Sequence, residues 1–134
     1  MTRRGALKLK HQDYESDHTP IEDDCSCFTC KTHTRSYLSR LIRQRETVGC
    51  HLISIHNIAY QMRLMRDIRD AIQRDDFSAW IQQFMKMYYH HRVKKALADD
   101  ENQGDGDAGK QLNAQGYPIW IANALNSVNI SLLD

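Results

Sequence analysis

Three thiols crowd into six residues at Cys25-x-Cys27-x2-Cys30, and no other feature restricts the fold of this chain as tightly. The chain starts Met1-Thr2-Arg3-Arg4-Gly5 and continues Ala6-Leu7-Lys8-Leu9-Lys10, without the apolar core of a secretory signal, so nothing points to an oxidising compartment. Metal ligation is then favoured over disulfides. Structural zinc takes thiolate and imidazole ligands in a closed tetrahedral site, so three sulfurs need one further donor. Cys50, His33, His51 and His56 are the candidates. The short tether of His33 would strain a tetrahedron, and Cys50 would complete an all-thiolate site. His56 lies in a long helical segment one position from its apolar stripe, with Asn57 beside it to orient a neighbour. Spacing alone leaves the fourth position open between Cys50 and the later histidines. Three unliganded or redox-active thiols are the bland alternative.

The periodicity around this cluster is helical. Residues 6–10 alternate apolar and basic, which suits a short half-exposed strand preceded by a turn at Gly5. Pro20 and Glu22-Asp23-Asp24 interrupt regular structure before the cysteines. A helix is predicted from Lys31 to Gln44, carrying Tyr37, Leu38, Leu41 and Ile42 on one side, with Gly49 as a natural break after it. From about His51 to Arg74, the residues Leu52, Ile55, Ile58, Met62, Met65, Ile68 and Ile72 recur at spacings of three and four as one stripe. A third helix is predicted from Phe77 to Ala98, opened by Asp75-Asp76, with Trp80, Ile81, Phe84, Met85 and Tyr88 on its buried side. Residues 99–116 read as an acidic mobile linker, and residues 117–134 as a helical tail that regains apolar character. The stripes are broad for 134 residues, which points to a partner surface. No apolar run reaches the length of about 18 residues that a membrane span requires.

The net charge of +1 conceals an uneven distribution. Residues 1–24 carry a net −2, residues 25–98 a net +8 and residues 99–134 a net −5. The overall balance excludes a uniformly basic nucleic-acid binder. The Arg-rich central block suits a phosphate backbone, whose neutralisation releases counterions. Solvated helix faces paired with Glu46, Asp67 and Asp70 are the plainer reading, and the favoured one on charge alone.

The cysteine cluster, the 25 residues after it and then His56-Asn57 resemble the zinc site of the tRNA-guanine transglycosylases. Tyr14, Asp17 and Pro20 match that family's lead into the metal loop. Thr34-Arg35-Ser36-Tyr37-Leu38 matches its Thr/Ser-Arg-Ala-Tyr/Phe-Leu segment, and His56-Asn57-Ile58-Ala59-Tyr60-Gln61 with Leu64-Met65-x2-Ile68-Arg69-x-Ala71-Ile72 follows its pattern. Phe28 stands where the family more often has Tyr. The similarity covers residues 5–90 or so. The tail, Pro118-Ile119-Trp120 with Ala124-Leu125-x-Ser127-Val128-x-Ile130, resembles the end of eukaryotic catalytic subunits.

The resemblance implies Cys25, Cys27, Cys30 and His56 as ligands of one structural Zn2+, and a free thiol at Cys50. It implies exchange of guanine for queuine at the tRNA wobble position by the intact enzyme, acting with a second transglycosylase subunit as a homo- or heterodimer in the cytoplasm, with mitochondrial association. The implied fold is mainly α with a short N-terminal β element, the zinc subdomain and closing helices of a (β/α)8 barrel. Residues 1–98 would be the zinc-binding part, 99–116 the linker and 117–134 the tail. The family's two catalytic aspartates, glycine-rich base pocket and Pro-Thr-Arg segment have no counterpart here, so the chain is expected to be a truncated portion, inactive alone. Arg63 and Arg66 are the expected tRNA backbone contacts. A non-catalytic zinc-stabilised module or truncated isoform, binding a partner subunit or tRNA, is the competing reading. An unrelated zinc-dependent nucleic-acid binder ranks last, because the match extends well beyond the ligands.

Overall fold

The computed structural model describes residues 1–98 and 117–131. The expected linker at 99–116 and the last three residues of the tail lie outside the described residues. Among the described residues, five α-helices follow one another: α1 (Phe28–Thr32), α2 (Arg35–Arg43), α3 (Thr47–Gln73), α4 (Phe77–Ala98) and α5 (Ile119–Asn126). The chain divides into two compact units, Met1–Asp70 and Ala71–Asp134.

The first unit is built on a small apolar centre. Leu9, Ile21, Leu38 and Leu52 are buried together, with Leu7, Tyr14, Cys30, Leu41, Ile42 and Ile53 packed around them. Leu38 is wholly buried and contributes ~2–3 kcal/mol on the usual scale for burying a leucine. The lead into the cysteine loop is pinned to the start of α2 by polar contacts. Arg35 donates from Nη1 to Asp17 Oδ2 at 2.9 Å and from Nη2 to the Ile21 carbonyl at 3.0 Å. The backbone N–H groups of Arg35 and Ser36 donate to the carbonyls of Thr19 and Asp17. The Thr19 hydroxyl, and Arg35 after it, hold the Asp17 carboxyl below the usual carboxylate range.

Three expectations are corrected. Residues 6–10 form no strand; what the N-terminal segment has is an isolated bridge between Thr2 and Gly5, closing a turn with Gly5 at φ 100°. Leu7 and Leu9 pack against the helices without a neighbouring strand to complete a ladder. The helix predicted from Lys31 to Gln44 is two helices. His33 is extended, and Thr34 restarts the chain as an N-cap whose hydroxyl accepts from the Tyr37 N–H at 3.3 Å. Gly49 is not a break but a buried position inside α3. A Cβ placed there would lie 2.9 Å from Cβ of Leu41, so the glycine lets α2 approach α3 closely.

In the second unit, Tyr89, Tyr117 and Ile121 are buried together, with Met85, Tyr88 and Leu125 against them. Along α4, the rings of Phe77, Trp80, Phe84 and Tyr88 stack successively at 6.1, 5.3 and 5.7 Å. Tyr89 meets Tyr117 edge to face at 5.9 Å.

Helices α2, α3 and α5 end without glycine. Arg45, Asp75 and Asn129 take the left-handed conformation at φ near 60°, each followed by a residue whose N–H reaches back to the carbonyl of Leu41, Ala71 or Leu125. Two substitutions test these backbone readings in chemical unfolding. Gly49→Ala should destabilise by ~1–3 kcal/mol through overpacking although alanine favours helix, and Arg45→Gly should stabilise by up to ~1 kcal/mol by relieving the left-handed conformation.

Candidate metal centre

The cysteine loop delivers its sulfurs through the start of α1. Cys27 is the N-cap: its sulfur accepts from the Cys30 N–H at 3.5 Å, which turns Cys27 and Cys30 towards each other. Thr29, wholly buried between them, donates its hydroxyl to the Leu52 carbonyl at 2.7 Å. That carbonyl lies one turn before His56 on α3, so the loop is registered against the helix that carries the imidazole.

His56 Nδ1 stands 3.6 Å from Cys25 Sγ, 3.7 Å from Cys27 Sγ and 3.2 Å from Cys30 Sγ. The four donor atoms all lie within 4.8 Å of one another. Cys25 and His56 are buried, while Cys27 and Cys30 are partly covered. On its far side, His56 Nε2 donates to the Met1 carbonyl at 2.7 Å. The Met1 amino group in turn donates to Asn57 Oδ1 at 2.8 Å, so Asn57 steadies the imidazole through Met1. A proton on Nε2 leaves the Nδ1 lone pair directed at the three sulfurs.

Electrostatics make this a cation-seeking site. Burial lowers the His56 pKa and keeps the ring neutral, as a ligand must be. Burial pushes the Cys30 thiol up to about 12, with the neighbouring Cys25 and Cys27 sulfurs adding to it and the Glu22 N–H opposing. Cys27 goes the other way: burial would raise it, but the N–H of Cys30 and the surrounding donors outweigh that and lower it. Three thiolates this close cannot all be ionised without a positive charge among them, and a divalent ion supplies it. The cluster could therefore hold a metal ion.

The other sequence candidates are elsewhere. Cys50 and His51 are exposed at the start of α3. His33 lies in an aromatic row, edge-on to Phe28 at 5.8 Å and stacked on Tyr37 at 5.1 Å. The two arginines singled out by sequence part company. Arg66 is exposed, whereas Arg63 is half-buried, with Nη2 on Glu22 Oε2 and Nη1 donating to the Asp24 carbonyl at 3.2 Å. Thr29 and Glu22 were not singled out from the sequence, and a Thr between two cysteines or a Glu in an acidic run carries no pattern of its own.

A loop with three thiols clamped to a histidine on a long helix defines a metal-loop helical module. The chain belongs to the queuine tRNA-ribosyltransferase family, whose model matches residues 1–90. It is 40% identical over 133 residues to the queuine tRNA-ribosyltransferase catalytic subunit of Caenorhabditis briggsae, covering 98% of this chain and 31% of that protein. The catalytic subunit of Schizosaccharomyces pombe is 36% identical over 140 residues, 99% of this chain and 29% of its own. The queuine tRNA-ribosyltransferase of Pediococcus pentosaceus is 41% identical over 92 residues, 69% of this chain and 24% of its own. The chain thus spans about a third of the length of the curated eukaryotic relatives it matches, in their C-terminal portion. The eukaryotic matches extend over nearly the whole chain, as its tail suggests.

Metal binding at this site should be proton-coupled. With Cys30 protonated at neutral pH, loading releases protons and affinity rises with pH. Calorimetry in buffers of different ionisation enthalpy measures the protons released. A pH-independent affinity with no proton release would refute thiolate ligation.

Proposed function

We propose that this chain is the zinc-binding and docking portion of a tRNA-guanine transglycosylase, the enzyme that exchanges guanine for queuine at the tRNA wobble position. The observation that carries this reading is the Cys25, Cys27, Cys30 and His56 cluster in a chain that matches the family over nearly its whole length. The metal is zinc. Bond lengths of ~2.3 Å to sulfur and ~2.0–2.1 Å to nitrogen, at tetrahedral angles, put each sulfur ~3.5 Å from the nitrogen. The three observed separations of 3.6, 3.7 and 3.2 Å bracket that value. With four protein ligands, the ion supplies a cross-link and folding free energy and no open position for substrate.

Docking is assigned to the outer face of α3. Its inner face carries Leu52, His56 and Tyr60, all buried. At 100° per residue, Ile55, Ile58, Met62, Met65 and Ile72 fall on the opposite side, and all five are exposed, Ile58 and Met62 by 64% and 63%. A helix apolar on two faces belongs inside a larger body. The relatives are about three times the length of this chain, and in that setting the face packs on their (β/α)8 barrel. Residues 1–98 then form the metal part and the tail from 117 the end of the subunit, with a second subunit and tRNA as partners of the whole. Arg66, exposed on the same helix, would be free to meet tRNA phosphate, a contact that positions without specifying sequence.

A guanine-exchange assay tests this. The 134-residue chain alone should incorporate no labelled guanine into wobble-guanine tRNA. A chimera with this chain in place of the corresponding C-terminal portion of the Caenorhabditis elegans catalytic subunit should exchange guanine, and Cys27→Ser in the chimera should abolish zinc retention and lower stability. Exchange by the isolated chain, or a folded but inactive chimera, contradicts the proposal.

A further inference from the structure

Helix α3 grips the metal loop at three levels of one face. The Leu52 carbonyl takes the Thr29 hydroxyl, His56 meets the three sulfurs, and two turns further on Arg63 takes Glu22 and the Asp24 carbonyl. Helical side chains lean towards the N-terminus, so a long side chain at position 63 reaches back towards the level of the imidazole. Its targets flank the entry to Cys25. Glu22 is itself held, its other oxygen accepting from the Arg3 N–H at 2.8 Å. The pair is largely removed from solvent, with side chains 22% and 12% exposed, so it is not an ordinary surface ion pair. Burial works against the Arg63 charge, yet the Glu22 hydrogen bond and the Cys25 and Cys30 sulfurs favour it more. Its Nε is buried with no hydrogen-bond partner among the described residues.

A divalent ion held by three thiolates and a neutral imidazole carries a net charge of −1, which a partly buried site must offset. We propose that Arg63 is a positioning residue for the metal centre: its guanidinium ties the Glu22–Asp24 approach to Cys25 onto α3 and places a positive charge beside the thiolates. The inference rests on the reading of the centre as a zinc site, and it gives Arg63 a different task from the exposed Arg66. The guanidinium suits this task because its planar fork reaches a carboxylate and a carbonyl together, which an ammonium cannot do as well.

The test is zinc affinity of the 134-residue chain, measured by competition with a chromophoric chelator, for the wild type and for Arg63→Met, Arg63→Lys and Glu22→Gln. The thermal stability of the metal-free chain is followed in parallel, with the thiolate-to-cobalt absorption of the Co2+-loaded chain. Arg63→Met should weaken zinc binding roughly tenfold or more, in the range of outer-ligand substitutions. Arg63→Lys should recover part of the loss. Glu22→Gln, which keeps the cation, should lose less than Arg63→Met. The cobalt spectrum should keep its three-sulfur character throughout. If Arg63→Met does not fold, Arg63→Lys and Glu22→Gln carry the comparison, and wild-type affinity in both overturns the inference. A zinc affinity for Arg63→Met within about twofold of wild type also overturns it, whether tRNA binding or only metal-free stability is what falls. A wild-type chain that binds no zinc overturns the zinc reading itself and the inference with it.

Discussion

The first unit depends on the meeting of one imidazole with three sulfurs. α1 is five residues long, too short to hold itself in water, and the segment before it has no ladder of backbone hydrogen bonds. What gives this segment a place is α3, together with Arg35 and Ser36 at the start of α2. The Leu52 carbonyl, His56 ring and Arg63 guanidinium of α3 hold Thr29, the three cysteines, the Glu22 carboxylate and the Asp24 carbonyl along one face. The ring is held from behind by the Met1 carbonyl, so the first residue and the metal loop converge on one side chain.

That arrangement turns a single helix into a bridge between two kinds of surface. The inner face of α3 is occupied by polar clamps and a modest apolar centre around Leu38 and Leu52. The outer face is apolar and exposed. These five side chains are about half exposed, so covering them would be worth ~1 kcal/mol each, which suits the face to the docking role proposed for it. In the proposed role, a metal at the cluster would fix the inner side while the outer side docks. A metal held by all four of these side chains would act as a cross-link, with no position left for a substrate.

Much of this was legible in the sequence, for identifiable reasons. Metal-ligating residues announce themselves because thiols and imidazoles at short spacing have few other uses, and the resemblance picked His56 from candidates that spacing left open. The structure brings His56 to the cysteines and leaves Cys50, His51 and His33 away from them. Long helices were legible too, since α4 and most of α3 carry sustained periodicity. The misses share a cause: each depends on a tertiary neighbour. Gly49 reads as a breaker until Leu41 is seen 2.9 Å from where a Cβ would stand. Alternation at residues 6–10 reads as a strand until no partner strand is found among the described residues. Of the stripe from Leu52 to Ile72, Leu52 turns inward with His56 and Tyr60 while Ile55, Ile58, Met62, Met65 and Ile72 stay exposed, because the elements packed on α3, and not the stripe, decide which face is covered. Helix ends at Arg45, Asp75 and Asn129 carried no glycine to mark them, because hydrogen bonds back to the preceding turn hold the left-handed residue in place.

Zinc K-edge X-ray absorption on the purified chain tests the central claim most directly, because it counts the ligands themselves. The account predicts three sulfur scatterers at ~2.3 Å and one nitrogen at ~2.0–2.1 Å. A shell of four sulfurs, which would bring in Cys50, a shell dominated by oxygen, or a chain without zinc would contradict it.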